Sequence, residues 1–305
     1  WSSSNINSAS PPQGVTWLFS DRGLEETVSV YMPTSVKNGI LFSCLGDIGG
    51  MRHTDLTQSP ASGINCNPQY SNTNCLDFAE NNPNIVVRVG NGNSAVNNDI
   101  AYSSNNGQTW TPWSSAPPGY TSNNQMGSCA VAADGSAVVV APYSGYGSPA
   151  YASSLGGAWT TCAGLPSGAW VASDRVTAST FYATSPSKWV FGGNVIIYRS
   201  TDYGRNFSQV NSIPVTWSDP NGNGEYVVPR PVFGVAGEFW VSTYNLLYRF
   251  TNGGTSVSTV PNVYEPMGPV GFGKSAPGQS HPAVYLIGTV SGTYGFFRSD
   301  DGTGA

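Results

Sequence analysis

The sequence predicts an all-β fold made of repeated four-stranded sheets, and three observations carry that reading. Short turns rich in Ser, Thr, Asn, Asp and Gly recur along the chain at a period of about fifty residues. Each period divides into four short apolar runs of β type. Composition leaves little room for helices. Only 10% of the 305 residues are charged, 37 Gly and 22 Pro punctuate the chain, and no stretch is rich in Ala, Leu, Glu, Lys and Arg. Four strands per period is the blade of a β-propeller.

The turns begin near Ser103, Ser153, Ser200, Thr251 and Ser299, at intervals of 50, 47, 51 and 48 residues. The clearest copies are Ser103-Ser104-Asn105-Asn106-Gly107-Gln108-Thr109-Trp110 and Ser200-Thr201-Asp202-Tyr203-Gly204-Arg205-Asn206-Phe207, and one period before Ser103 stands the degenerate His53-Thr54-Asp55. They resemble the Asp-box, Ser-x-Asp-x-Gly-x-Thr-Trp. The Asx side chain can satisfy backbone N–H groups, Gly takes a positive φ, and the aromatic packs between blades. Propellers of unrelated activity carry such boxes, so the boxes are read as structural.

Within the unit ending near Phe207 the strands are expected at Trp170–Ser173, Phe181–Thr184, Val195–Arg199 and Phe207–Val210. Six units are visible, the last without its outer strand. A seventh blade is expected from the N-terminal segment around Val15–Phe19 together with residues outside this sequence. The whole of 1–305 is therefore read as a single seven-bladed propeller domain.

Net charge is −5 with no basic run, which argues against nucleic acid and anionic membranes. No apolar run reaches the ~18 residues of a membrane span. No Cys/His spacing resembles a zinc site, and neither a metal nor another cofactor is expected. Five cysteines and few charges fit a secreted, extracellular protein. Cys66 with Cys75, and Cys129 with Cys162, could close disulfides, with Cys44 left over; spacing leaves the pairing open. Asn206-Phe207-Ser208 is a glycosylation sequon. The chain opens at Trp1 without a leader, which reads as a mature form or a fragment.

One stretch stands apart from the boxes: Leu45-Gly46-Asp47-Ile48-Gly49-Gly50-Met51-Arg52-His53-Thr54-Asp55. Asp47 follows the second strand of its unit, Ile40–Leu45, and precedes a third, Met51–Thr54. Its flanking glycines are expected to let a large ligand approach. Connections between second and third strands lie at the end of the propeller opposite the boxes, together with the links between blades. That face should also hold Asn91–Asn97, Tyr143, Tyr146, Trp189, Phe191, Tyr244 and Ser291–Tyr294, with Trp113, Tyr120, Trp170, Trp217 and Tyr264 from the links. Aromatic planes stack on sugar C–H faces, and amides and phenols bond hydroxyls, so the face suits a carbohydrate.

These residues resemble the xyloglucanases of glycoside hydrolase family 74, whose members have two tandem seven-bladed propellers with the active site between them. Besides the Gly46–Leu56 segment, the matching stretches are Gly23–Thr27, Ile85–Gly90, Ala172–Val176, Gly271–Ser280 and Phe297–Gly302, so the resemblance spans nearly the whole chain. It points to the second, C-terminal propeller. Family members invert anomeric configuration with two Asp residues, one from each propeller, and the Gly-Asp-Ile-Gly-Gly residue is the general acid. The resemblance thus implies Asp47 as catalytic acid in an endo- or exo-acting β-1,4-glucanase. Arg52, His53, Tyr143, Trp189 and Tyr294 are the expected sugar contacts. An inverting site needs a second carboxylate about 6.5–9.5 Å away to activate water. No second Asp-Ile-Gly-Gly occurs here, so the base is expected from a partner propeller. The family's His-Asp-Asp is His53-Thr54-Asp55 in this chain.

The alternative reading is a carbohydrate-binding propeller that keeps the face without the chemistry. A sialidase would need three clustered arginines, and the nine here are scattered.

Overall fold

Every pairing between named strands is antiparallel, and consecutive strands pair as hairpins. The computed structural model describes residues 16, 28–37, 39–92, 99–120, 125–186, 193–215, 227–243, 245–264, 266 and 270–303. The first sheet is Ser29–Val36, Ile40–Leu45 and Arg52–His53. The second is Tyr70–Ala79, Asn82–Gly92, Ile100–Ser103 and Thr111–Pro112; the third is Met126–Val131, Val138–Pro142, Ala150–Ala152 and Thr160–Thr161. The fourth, Trp170–Ser173, Phe181–Thr184, Gly193–Ser200 and Ser208–Val215, matches the expected strands closely, its outer pair running longer.

Arg230–Pro231, Phe239–Ser242, Leu246–Thr251 and Ser256–Tyr264 form the fifth sheet. Gly271–Gly273, Ala283–Val290 and Thr293–Ser299 form the last three-stranded unit, which touches the fifth through Val263–Val290 and Tyr264–Thr289. The one helical turn among the described residues is the 3-10 turn Asn252–Gly254, and no helix there is long and apolar enough to cross a membrane. Val15 and Trp17–Phe19, from which a seventh blade is expected, lie outside the described residues.

Apolar side chains from each sheet meet those of the next, so the core is a series of layers between neighbouring sheets. Phe42 packs with Tyr70 and Trp110, Val89 with Val140, Val139 with Phe181, and Ile197 with Phe239, all buried. Burial of each such aliphatic or aromatic side chain contributes about 1.5–3 kcal/mol. The inner strands of all six units surround a central cavity of about 140 Å³, with Tyr31, Asp77, Cys129, Val171, Arg230 and Phe272 among its lining residues. Antiparallel units of the described residues arrayed about one cavity make the architecture a β-propeller.

The two clearest repeat turns have one hydrogen-bond pattern. Ser103 Oγ accepts from Gly107 N at 2.8 Å, and Asn105 Oδ1 accepts from Thr109 N at 2.9 Å. Ser200 Oγ and Asp202 Oδ1 do the same for Gly204 N and Asn206 N, both at 3.0 Å. A Cβ on Gly107 would stand 2.4 Å from the Phe42 ring, and one on Gly204 2.3 Å from Val139 Cγ2. Each turn therefore wedges against the preceding sheet, with Trp110 or Phe207 packed between the two sheets.

All five thiols are free, so neither disulfide foreseen from spacing is present. Cys66 is exposed in a loop, whereas Cys75 is buried and turns its Sγ toward Cys129 O, 3.4 Å away across the layer between the second and third sheets. The packing of inner strands, not proximity in sequence, decides which cysteines become neighbours.

Candidate active site

The Asp47 turn sits where strand Ile40–Leu45 leaves the first sheet, at the end opposite the Ser103 and Ser200 turns, as strand order requires. Asp47 has a φ of +64°, a left-handed conformation that Asp tolerates better than most residues, at a cost of about 1–2 kcal/mol. Backbone bonds to other elements hold the turn. Gly46 N donates to Val28 O at 2.8 Å, Gly49 N to Ser71 O at 3.0 Å, and Gly50 O accepts from Asn65 N at 2.9 Å. Asp47 N donates to Asn72 Oδ1 at 3.0 Å, and the residue is exposed, so its carboxylate faces solvent.

The glycines of this turn do a different job from the one expected. A Cβ on Gly50 would lie 1.9 Å from Ser43 O, and one on Gly49 2.6 Å from Tyr70 O. Both face protein backbone. They allow the turn to fold tightly against the first and second sheets, whereas a Cβ on Gly46 would meet its neighbours only in ordinary van der Waals contact, at 3.4 Å and beyond.

Asn72 is a residue that sequence reasoning missed. Pairing passes from Tyr70–Gly92 to Thr73–Gly90, so three residues on one strand span two on the other. Ser71 and Asn72 thus lie in a β-bulge, which re-aims side chains from the ordinary alternation. Gly90 permits it, since a Cβ there would stand 2.1 Å from Asn72 O. Gly90, closing a run of β-branched residues, was the available signal.

Two of the expected sugar contacts, both half-buried, also bond within the fold. Arg52 pairs with Phe42, about 10 Å back along the strand from Leu45. Its Nε donates to Asn106 O at 2.7 Å, tying the first sheet to the Ser103 turn of the second at the end away from Asp47. His53 Nε2 lies 3.0 Å from the buried Ser43 Oγ. The structure does not bring either to Asp47; the side chains follow the strand pairing rather than the motif. Asp55 accepts from Thr57 N at 2.8 Å and Thr57 Oγ1 at 2.6 Å, and these bonds hold its carboxyl below the usual carboxylate range.

Tyr143 follows strand Val138–Pro142 on the Asp47 side, half-buried, its ring edge-on to Trp170 at 6.4 Å. Tyr294 is the second residue of strand Thr293–Ser299 and is 63% exposed. Tyr146 and Tyr264 are also exposed. Trp113 and Trp170 are buried, Trp113 beside Trp159 with ring centroids 4.5 Å apart, so these two fill gaps between sheets rather than line a surface. Trp189, Phe191, Trp217 and Tyr244 lie outside the described residues.

The other carboxylate built into this end of the second sheet is Asp99, which is buried. It accepts from Gly92 N at 3.0 Å and from the Tyr120 hydroxyl; burial, then that bond, pushes the Tyr120 hydroxyl well above the ordinary phenol range. Among the described residues no group of three or more His, Cys, Asp and Glu side chains is arranged to hold a metal. The surface therefore offers an exposed acid on a braced turn, with the Asn72 amide beside it.

No protein-family model matches the chain. It is 36% identical over 294 residues to a xyloglucanase of a Paenibacillus species, covering 92% of this chain and 26% of that protein. A probable oligoxyloglucan-reducing end-specific xyloglucanase of Neosartorya fischeri is 30% identical over 326 residues, covering 99% of this chain and 38% of the relative. The crystal structure of the glycoside hydrolase family 74 xyloglucanase from Xanthomonas campestris superposes with a TM-score of 0.78 at 32% identity, over 99% of this chain and 41% of that one. The chain thus spans between a quarter and about two fifths of the length of these three relatives.

Proposed function

The chain is a homologue of the glycoside hydrolase family 74 xyloglucanases, matching a part of their length, and from that premise we propose that it forms the acid-bearing half of an inverting β-1,4-glucanase acting on xyloglucan. It corresponds in this reading to the second of two propellers, and Asp47 is the general acid. The observation that carries the proposal is the placement of Asp47. Among the described residues its turn is bonded on both sides to the first and second sheets, yet its carboxylate is left exposed.

The chemistry follows from that placement. Cleavage of a glycosidic bond makes a poor leaving group unless its oxygen is protonated as the bond stretches, and a carboxylic acid at hydrogen-bond distance does this. A second carboxylate, on the partner propeller, takes a proton from water attacking the opposite face of the sugar. Tyr143 and Tyr294, with Trp189, are the aromatic contacts for the glucan. Because the proposed substrate is a polysaccharide of plant cell walls, the protein is proposed to act outside the cell.

The test is Asp47→Asn in the polypeptide that joins this chain to its partner propeller, assayed by reducing-end release from xyloglucan. A fall of about 10²–10⁴-fold in kcat is expected from loss of the general acid. Unchanged hydrolysis removes Asp47 from the role. NMR of the first-formed product should show the anomer opposite to the substrate linkage.

A further inference from the structure

The strand next to the Asp47 turn shifts register against its partner at three points, and the first of them, between Tyr70 and Thr73, faces Asp47. Ser71 and Asn72 form the bulge between the Tyr70–Gly92 and Thr73–Gly90 pairs, and Gly90 gives the room for it. From there Asn72 Oδ1 accepts the N–H of Asp47 at 3.0 Å, while the neighbouring Ser71 O accepts from Gly49 N at 3.0 Å. Inside the turn the bonds run Ile48 N to Gly46 O and Gly50 N to Ile48 O. These bypass the Asp47 amide, which bonds across to the second sheet instead. Gly46 stands beside the contact, with Asn72 Oδ1 3.5 Å from the place its Cβ would occupy.

We propose that Asn72 is a positioning residue for the acid: its side-chain carbonyl fixes the left-handed backbone of Asp47 and so sets the direction of the carboxyl group. A residue at positive φ relaxes readily toward the ordinary regions unless neighbours over-determine it. When its amide loses a fixed acceptor, the turn gains alternatives and the carboxyl spends less time aimed at the leaving oxygen. Misplacement by about 1 Å costs on the order of 10²-fold in rate. The inference rests on the reading of Asp47 as the acid, but it concerns a different residue on a different strand.

The experiment compares Asn72→Ala and Asn72→Asp with Asp47→Asn in the two-propeller polypeptide. Asn72→Ala is expected to lower kcat by about 10–100-fold with KM within about twofold, because the interaction acts on geometry in the transition state. Hydrogen exchange over residues 46–50 should quicken while the melting temperature stays near that of the parent. Asn72→Asp keeps an acceptor in the same place and should restore the exchange protection and most of kcat. A kcat for Asn72→Ala within twofold of the parent, or unchanged exchange over 46–50, overturns the proposal. So does a loss of kcat that merely tracks a fall in melting temperature. If Asp47→Asn is fully active, the acid assignment fails by itself; if it is inactive while Asn72→Ala is not impaired, only the positioning role fails.

Discussion

Arg175 donates to Asp77 across 2.7 Å, joining residues that start from the inner strands of the fourth and second sheets. The third sheet lies between those two and is drawn in as well, since Val131 N donates to the other carboxylate oxygen of Asp77 at 2.8 Å. Arg175 also reaches Phe78 O at 3.1 Å, and its guanidinium lies 5.2 Å from the Phe78 ring centre. One buried ion pair thus ties three blades together beside the central cavity. Removing one partner leaves the other charge buried, which costs about 3–5 kcal/mol. Asp77→Asn and Arg175→Met should each show that loss in urea unfolding, and the double variant should cost clearly less than their sum. Additive losses would mean that the two side chains act independently.

The Gly49-Gly50 step should be far less tolerant than Gly46. Gly50 has a φ of +118°, and a Cβ there would meet Ser43 O at 1.9 Å, so the backbone of strand Ile40–Leu45 would have to move. Gly50→Ala is expected to destabilise by about 1–3 kcal/mol through strain and to displace Asp47, seen as altered hydrogen exchange over residues 46–50. Gly46→Ala, with contacts no closer than 3.4 Å, should unfold at nearly the parent urea concentration. Equal effects of the two changes would contradict the packing described for this turn.

The contrast shows what was legible in the sequence. Strands at Trp170–Ser173 and Phe181–Thr184 could be read because each unit repeats the same local pattern, and local pattern is what a linear reading sees. Placement of the Asp47 turn followed from counting strands within a unit. The bond from Arg52 to Asn106 was not legible, because Asn106 belongs to the next sheet and is 54 residues away. Asn72 was missed because a bulge breaks alternation in a way that shows only once Gly90 is seen opposite it. Trp113 and Trp170 carry the same residue type as a sugar platform, and only neighbouring sheets decide that they are buried.

Thiol reactivity gives a direct check on the cysteines. Cys66 is exposed, while Cys44, Cys75, Cys129 and Cys162 are buried. Burial first, then the nearby Asp202 carboxylate, pushes the Cys162 thiol up to about 12, and burial drives Cys44 higher still. The Cys44 and Cys162 thiols are thus neither accessible nor ionised at pH 8, and burial shields Cys75 and Cys129 from reagent. A thiol reagent should therefore label about one cysteine in the native protein and all five in denaturant without reductant. Fewer than five in denaturant would demonstrate a disulfide.

Glu238 gives the fold a dependence on acid pH. It is buried in the fifth sheet, where Arg249 Nε and Nη2 donate to its two oxygens at 3.0 and 2.9 Å, and Trp240 Nε1 donates at 2.9 Å. His281 Nε2 lies 2.9 Å from the same carboxylate, and Arg249 Nη1 donates to Gly302 O at 3.3 Å, so the cluster joins the fifth sheet to the last unit. Burial alone would raise the Glu238 carboxyl, but the bonds from Arg249, Trp240 and His281 outweigh it and hold the group below the usual range. A carboxyl lowered on folding stabilises the native state above its unfolded value, about 4.3, and that contribution is lost as pH falls through the folded value. Glu238→Gln should therefore be less stable than the parent by about 2–3 kcal/mol at pH 7, from the loss of charge-assisted bonds. The gap should narrow steadily as urea unfolding is repeated from pH 5 down to pH 3. A gap that stays constant over that range would show that the cluster holds the sheets by packing and not by the charge on Glu238.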